Sequence, residues 1–156
     1  SLVSAKDSII IKVTDVKNRS VNSTKTSDYY HKGERNFGLW ILMGEYETYS
    51  LYYAITVDHN VFNGFCILNG TEPITSSRKE FQQFSSQLLN NDSKYQKSDY
   101  WLGWYYVEPK LNFKEFSDEN IYNLIEENYL NETVTRIVDT TVDDIRNFKE
   151  IVANLK

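Results

Sequence analysis

The stretch Leu51-Tyr52-Tyr53-Ala54-Ile55-Thr56-Val57-Asp58-His59-Asn60-Val61-Phe62-Asn63-Gly64-Phe65-Cys66-Ile67-Leu68 decides how this chain folds. Its first seven residues alternate, with Leu51, Tyr53, Ile55 and Val57 to one side and Tyr52, Ala54 and Thr56 to the other. Successive side chains of a strand point to opposite faces, so a period of two reads as a strand. Asp58-His59-Asn60 interrupts the pattern with turn formers, and an apolar, aromatic run then resumes. A connection this short joins antiparallel neighbours. Residues 37–47 repeat the theme upstream, placing Phe37, Leu39, Ile41 and Met43 on one face. Gly38, Gly44 and Gly64 inside these strands mark bulges or close backbone approach.

Outward from this meander, residues 9–13 have the β-branched density of a short strand, and residues 17–36 are polar and read as a long loop. Residues 75–90 read as a helix: Ser77 and Glu80 have capping-box spacing, and Phe81, Phe84 and Leu88 share a face. Residues 100–107 read as an aromatic strand stopped by Pro109. Tyr100, Leu102, Trp104 and Tyr106 are expected on one face, Trp101, Tyr105 and Val107 on the other. Ser117-Asp118-Glu119 starts a helix with acids that complement its dipole, and Ile121, Leu124 and Ile125 supply its apolar face. A longer helix is expected over residues 132–155, where Val134, Ile137, Val138, Thr141, Ile145, Phe148, Val152 and Leu155 keep a 3–4 spacing. The expected fold is α+β: one domain over residues 1–156 with a mainly antiparallel sheet of four to five strands. Helices pack on one face, the C-terminal helix is long, and residues 1–36 form a basic, partly irregular arm.

Composition narrows the function. Aromatics make up 15% of the 156 residues, with twelve Tyr, eight Phe and three Trp. A net charge of −5 disfavours a nonspecific duplex-binding protein. The charge is segregated, however. Residues 6–35 hold seven Lys and Arg against four acids, whereas residues 111–156 hold five against ten. The single cysteine, Cys66, excludes an internal disulfide and a cysteine-built zinc cluster, and its apolar neighbours mark it as a small buried thiol. No apolar run approaches the ~18–20 residues of a membrane span, so no membrane partner is expected and a cytoplasmic location is. The chain begins Ser1-Leu2-Val3-Ser4 without an initiator Met and reads as part of a longer protein.

The chemistry-bearing residues are few. His31 lies in the polar loop and His59 at the turn after Asp58, with no metal-ligand spacing between them. Adjacent residues at a strand end usually point apart, so Asp58 and His59 are not expected to pair. Glycine-rich phosphate loops and serine or zinc hydrolase signatures are missing. Glu108-Pro109-Lys110 matches the E-x-K fragment of Mg²⁺-dependent nucleases, in which the acid binds metal and the lysine steadies the attacking water. The required upstream acid is missing: Asp99 is too close, Asp92 follows a helix, and Asp58 is fifty residues away. No catalytic residue, metal or cofactor is therefore assigned. Two sets of contact residues remain for a nucleic acid or protein partner. One is the basic arm at Lys17, Arg19, Lys25, Lys32 and Arg35. The other is the aromatic strand at Tyr100, Trp101 and Tyr105, flanked by Lys94, Lys97 and Lys110.

The order of motifs also carries a resemblance. Phe37-Gly38-Leu39-Trp40 and Tyr52-Tyr53-Ala54-Ile55 precede a polar helix, then Tyr100-Trp101-Leu102-Gly103-Trp104, then Leu111-Asn112-Phe113-Lys114-Glu115-Phe116 and paired helices. Over residues 37–155 this resembles the region C-terminal to the catalytic core in prokaryotic PD-(D/E)XK-superfamily nucleases. The resemblance implies a non-catalytic accessory domain of a larger nuclease-like, defence-related protein, contacting nucleic acid, the nuclease core or a partner. The alternatives are a freestanding interaction or inhibitor protein with an acidic surface and, third, a small Mg²⁺-dependent nuclease using Glu108 and Lys110.

Overall fold

The alternating runs pair as antiparallel strands in a computed structural model that describes residues 10–15 and 37–155. Six strands form one sheet: β1 (Ile10–Asp15), β2 (Phe37–Tyr46), β3 (Tyr49–Val57), β4 (Val61–Asn69), β5 (Glu72–Pro73) and β6 (Gly103–Tyr106). The order is β1-β2-β3-β4, and β5 and β6 both pair with β4, β5 at Leu68 and Asn69 and β6 from Phe62 to Phe65. Five strand positions therefore hold six strands, and every pairing is antiparallel. Helices α1 (Lys79–Asn91), α2 (Glu119–Tyr122) and α3 (Glu127–Asn154) follow, with a 3₁₀ turn at Asn123–Ile125 between the last two. The expected α+β architecture with a long C-terminal helix is what the chain adopts.

The glycines act as expected. The β2–β3 register shifts between Leu42 and Gly44, a bulge. A Cβ on Gly38 would lie 2.0 Å from the Ile55 carbonyl oxygen, and one on Gly64 would lie 2.7 Å from the Trp101 ring. Both positions are close approaches that only glycine allows.

Each sheet face has its own core. On the helical face, Ile41, Met43, Leu51, Tyr53, Phe65 and Ile67 meet Phe81, Phe84 and Leu88 of α1 and Ile145, Phe148, Ile151 and Val152 of α3. Phe148 stacks on Phe65 at 4.4 Å and meets Phe84 at 6.0 Å, so α1 and α3 share the same aromatic anchor. Burying such a ring contributes about 1.5–3 kcal/mol. On the opposite face Trp40, Ala54, Cys66 and Leu68 are buried with Tyr52 and Trp101 against them. Burial pushes the Cys66 thiol well above its ordinary pKa, which keeps it neutral. A third cluster, Val61, Val107, Leu111 and Ile121, seats α2 and Ile137 of α3 at the sheet end.

Several local expectations fail, among them Ile125, expected on an apolar helix face and 69% exposed. The Ser77–Glu80 capping box does not form: α1 begins after Arg78, and the Ser77 hydroxyl is held by Thr75 Oγ1 at 2.5 Å. The aromatic strand is ladder-paired only over Gly103–Tyr106, and its alternation slips at Leu102. Leu102 N donates to Phe65 O, and Leu102, Gly103 and Tyr105 all face the α1–α3 side. Trp101 and Trp104 turn to the other side, around Phe62. Helix α3 starts at Glu127 rather than 132 and presents Thr133, Ile137 and Thr141 inward along its first half. Val134 and Val138, expected on the packed face, are 49% and 51% exposed. Packing of α3 on the third cluster sets its rotation, and two valines do not outweigh it.

Candidate functional site

At the junction of β4, β6 and α3 an acid has been drawn into the core. Asp144 occupies the inward face of α3, one residue before Ile145, and is 2% exposed. Its Oδ2 accepts hydrogen bonds from the Tyr53 hydroxyl at 2.7 Å and the Tyr105 hydroxyl at 2.5 Å. Its Oδ1 accepts from Lys94 Nζ at 2.6 Å. Each donor comes from a different element: Tyr53 from β3, Tyr105 from β6, Lys94 from the segment after α1. Such a carboxylate needs these donors, because an unpaired buried charge costs several kcal/mol (order of magnitude). The Lys94 ammonium also lies 4.4 Å from the Tyr105 ring centroid and 5.1 Å from that of Tyr95, a cation–π arrangement. The Lys94 side chain is 31% exposed and has Asp92 as a second acid at 3.6 Å. Burial first, and the Asp144 charge second, raise the pKa values of Tyr53, Tyr95 and Tyr105. These phenols stay protonated donors at neutral pH, so the cluster works as a structural clamp.

The clamp forms one wall of a cleft of about 460 Å³. Asn63, Lys94, Gln96, Tyr105, Tyr106, Glu108, Lys110, Arg136, Ile137 and Thr140 are among its lining residues. Three cations from three segments converge there: Lys94 on the clamp, Lys110 beyond β6 and Arg136 on α3. Lys110 Nζ sits 5.2 Å from the Tyr106 ring centroid. Glu108 is the acid among the lining residues. Asn63 of β4 is 1% exposed, and its Nδ2 donates to the Tyr105 hydroxyl at 3.2 Å. That hydroxyl already donates to Asp144, so it acts as acceptor toward Asn63, which fixes the orientation of the carboxamide. Asn63 Oδ1 is left without a hydrogen-bond partner among the described residues. It is one of seven buried side-chain atoms so placed among the described residues, and of these it alone belongs to a residue that lines the cleft.

On the other side of β6 lies a smaller recess of about 370 Å³, lined by Asp58, His59, Phe62, Ser98, Trp101, Trp104 and Tyr106 among others. Tyr106 borders both. Here His59 Nδ1 comes within 3.5 Å of Asp58 Oδ1, contrary to the expectation that these neighbours point apart. The tight turn before β4 brings both side chains to the same side. The His59 side chain is 57% exposed, and Ser98 lines the same recess. Among the described residues no cluster of three or more His, Cys, Asp or Glu could hold a metal ion.

The sequence-derived candidates divide. Lys17, Arg19, Lys25, Lys32 and Arg35 lie outside the described residues, as does His31. Tyr105 lines the cleft but is buried as part of the clamp, Trp101 packs against Trp40 and Phe62 beside the second recess, and Tyr100 is 55% exposed. Tyr100, Trp101 and Tyr105 thus do not form one stacking platform. Glu108 and Lys110 both line the cleft, and among the described residues no cluster of acids accompanies them as a metal site. Sequence reasoning missed Asn63, Arg136 and Asp144. Asp144 left a signal: it is an acid on the otherwise apolar or hydroxyl-bearing side of the last helix, between Thr141 and Ile145. No helix among the described residues is long and apolar enough to cross a membrane. No family model, curated protein or solved structure matches the chain.

Proposed function

We propose that this domain is a non-catalytic binding module of a larger nuclease-like protein, and that it contacts nucleic acid through the cleft between β6 and α3. The observation that carries this reading is the convergence of Lys94, Lys110 and Arg136 on one concavity with a buried, unpartnered acceptor in its lining. A cleft of this size suits one small ligand or one unit of a polymer. Lysine and arginine from separate segments suit phosphate, which accepts several donors at once. Asp144 neutralises Lys94, so the charge available to a ligand comes from Lys110 and Arg136, offset in part by Glu108. Two such cations give weak, salt-sensitive binding, in keeping with a chain whose overall charge is negative.

The test is fluorescence anisotropy with a labelled oligonucleotide across a salt series. Exchanging Lys110 and Arg136 together for Ala should weaken binding and flatten the salt dependence by roughly 1.4 in log–log slope, at ~0.7 per single-strand phosphate contact. An unchanged affinity and slope would refute the cleft as the contact. Exchanging Lys17, Arg19, Lys25, Lys32 and Arg35 for Gln separates the two basic regions. If that variant alone loses binding, the arm is the site and the cleft is not.

A further inference from the structure

From the cleft's lining we infer that its occupant is an unpaired nucleotide, inserted so that a base N–H reaches Asn63 Oδ1 while its phosphate meets Lys110 and Arg136. This inference rests on the reading of the cleft as a nucleic-acid contact and names which form of nucleic acid it takes. Phosphate alone accounts for the cations but not for Asn63. Phosphate oxygens are acceptors, and Asn63 Oδ1 is an acceptor without a donor. Something carrying both an anion and a donor fits the two together. Asn63 is 1% exposed and its Oδ1 is closed off in the free protein, so the donor must enter the cleft and the side chains over Oδ1 must part to admit it.

The duplex form fails on both counts. Its ring N–H donors are engaged in pairing, and its free amino hydrogens stay at the groove edges, unable to enter the cleft. It also presents a stiff array of phosphates to a chain of net charge −5. An unpaired nucleotide supplies a free base edge at no cost in broken pairs. The lining fits the rest of such a unit: Tyr106 offers an aromatic wall, and Gln96 and Thr140 add polar groups. The carboxamide orientation that makes Asn63 an acceptor is held by Tyr105, and Tyr105 is held by Asp144. The buried clamp therefore sets the hydrogen-bonding sense of the pocket.

The experiment uses the native protein and four labelled or competing probes: a single strand of roughly ten nucleotides, within the span such sites cover, the same strand made of abasic units, the strand annealed to its complement, and an acidic peptide of equal charge. The single strand should bind roughly tenfold tighter than the abasic strand and the duplex, the scale expected for contacts to one inserted base. Equal binding of the abasic strand overturns the insertion of a base and leaves the phosphate contact standing. Equal binding of the duplex overturns the preference for an unpaired nucleotide. Equal or tighter binding of the peptide points to a protein partner and overturns this inference. If no nucleic acid binds, both this inference and the reading beneath it fall. Asn63→Leu should bring the ratio of intact to abasic strand toward one. Should that variant fail to fold, the four probes on the native protein still decide.

Discussion

Replacing Asp144 by Ala tests whether the buried clamp holds the domain together. The Tyr53 and Tyr105 hydroxyls would lose the acceptor they share. Tyr53 is 0% and Tyr105 8% exposed, so solvent cannot readily replace it. Stranding a buried donor costs about 1–3 kcal/mol each. The two hydroxyls lie 3.4 Å apart, so one can turn to the other, which leaves one donor stranded. Lys94 keeps Asp92 at 3.6 Å and partial exposure, and its loss adds about 0–1 kcal/mol. The space left by the carboxylate adds about 1 kcal/mol more. The expected loss is about 2–5 kcal/mol, overlapping the ~3–5 kcal/mol seen when one partner of a buried pair is removed. That is a large share of the ~5–15 kcal/mol that stabilises a typical domain. Urea denaturation should show a lower midpoint at unchanged slope, and thermal melting a fall of about 10 °C. Asp143→Ala is the control: that neighbour is 65% exposed and pairs with Arg146, and its loss should stay within about 0.5 kcal/mol. If the two variants melt together, Asp144 does not clamp the core. Combining Asp144→Ala with Tyr53→Phe sharpens the test. The double variant should be less destabilised than the sum of the singles, because the removed hydroxyl no longer needs the removed acceptor.

Alkaline pH should destabilise the fold through the same cluster. Burial, then the Asp144 charge, raise Tyr53, Tyr95 and Tyr105 above the ordinary 10.0, so the folded state keeps protons that the unfolded chain releases. Their contribution is fully present below about pH 10 and declines above it, by up to ~1.4 kcal/mol per pH unit for each phenol. Urea midpoints compared at about pH 9 and about pH 11 should fall, with tyrosinate absorbance appearing at the unfolding transition; buried phenols that titrate before unfolding would contradict this. Gly64→Ala should cost about 1–3 kcal/mol, because its Cβ would press on Trp101 at 2.7 Å and on Trp104 Cβ at 2.9 Å. Near-ultraviolet circular dichroism should report the displaced indoles, and an unchanged spectrum with unchanged stability would show that the close approach is not needed.

The parts of the fold that were legible in the sequence are those set by neighbours along the chain. Leu51, Tyr53 and Ile55 alternate because a strand alternates, and the turn at Asp58-His59-Asn60 is too short for any pairing but antiparallel. Gly38, Gly44 and Gly64 were legible for the same reason: a glycine inside a strand is a local anomaly. What escaped depends on partners far away in sequence. Leu102 breaks the alternation because Phe65, 37 residues earlier, takes its N–H. Val134 and Val138 lie outside because α3 turns Thr133 and Thr141 inward. The site follows the same division. Lys110 and Glu108 drew notice through a short motif, yet their meeting with Arg136 and Asn63 requires β4, β6 and α3 to be assembled first. Asp144 lies between these cases. Its place on the inward side of an amphipathic helix was visible, but its role was not, because the tyrosines and lysine that satisfy it come from residues 53, 94 and 105. A lone acid on such a face requires compensating donors somewhere in the fold. Here the Tyr105 hydroxyl, which donates to Asp144, accepts from Asn63 Nδ2 and so orients it, and the buried charge leads in turn to the residue whose substitution tests the cleft.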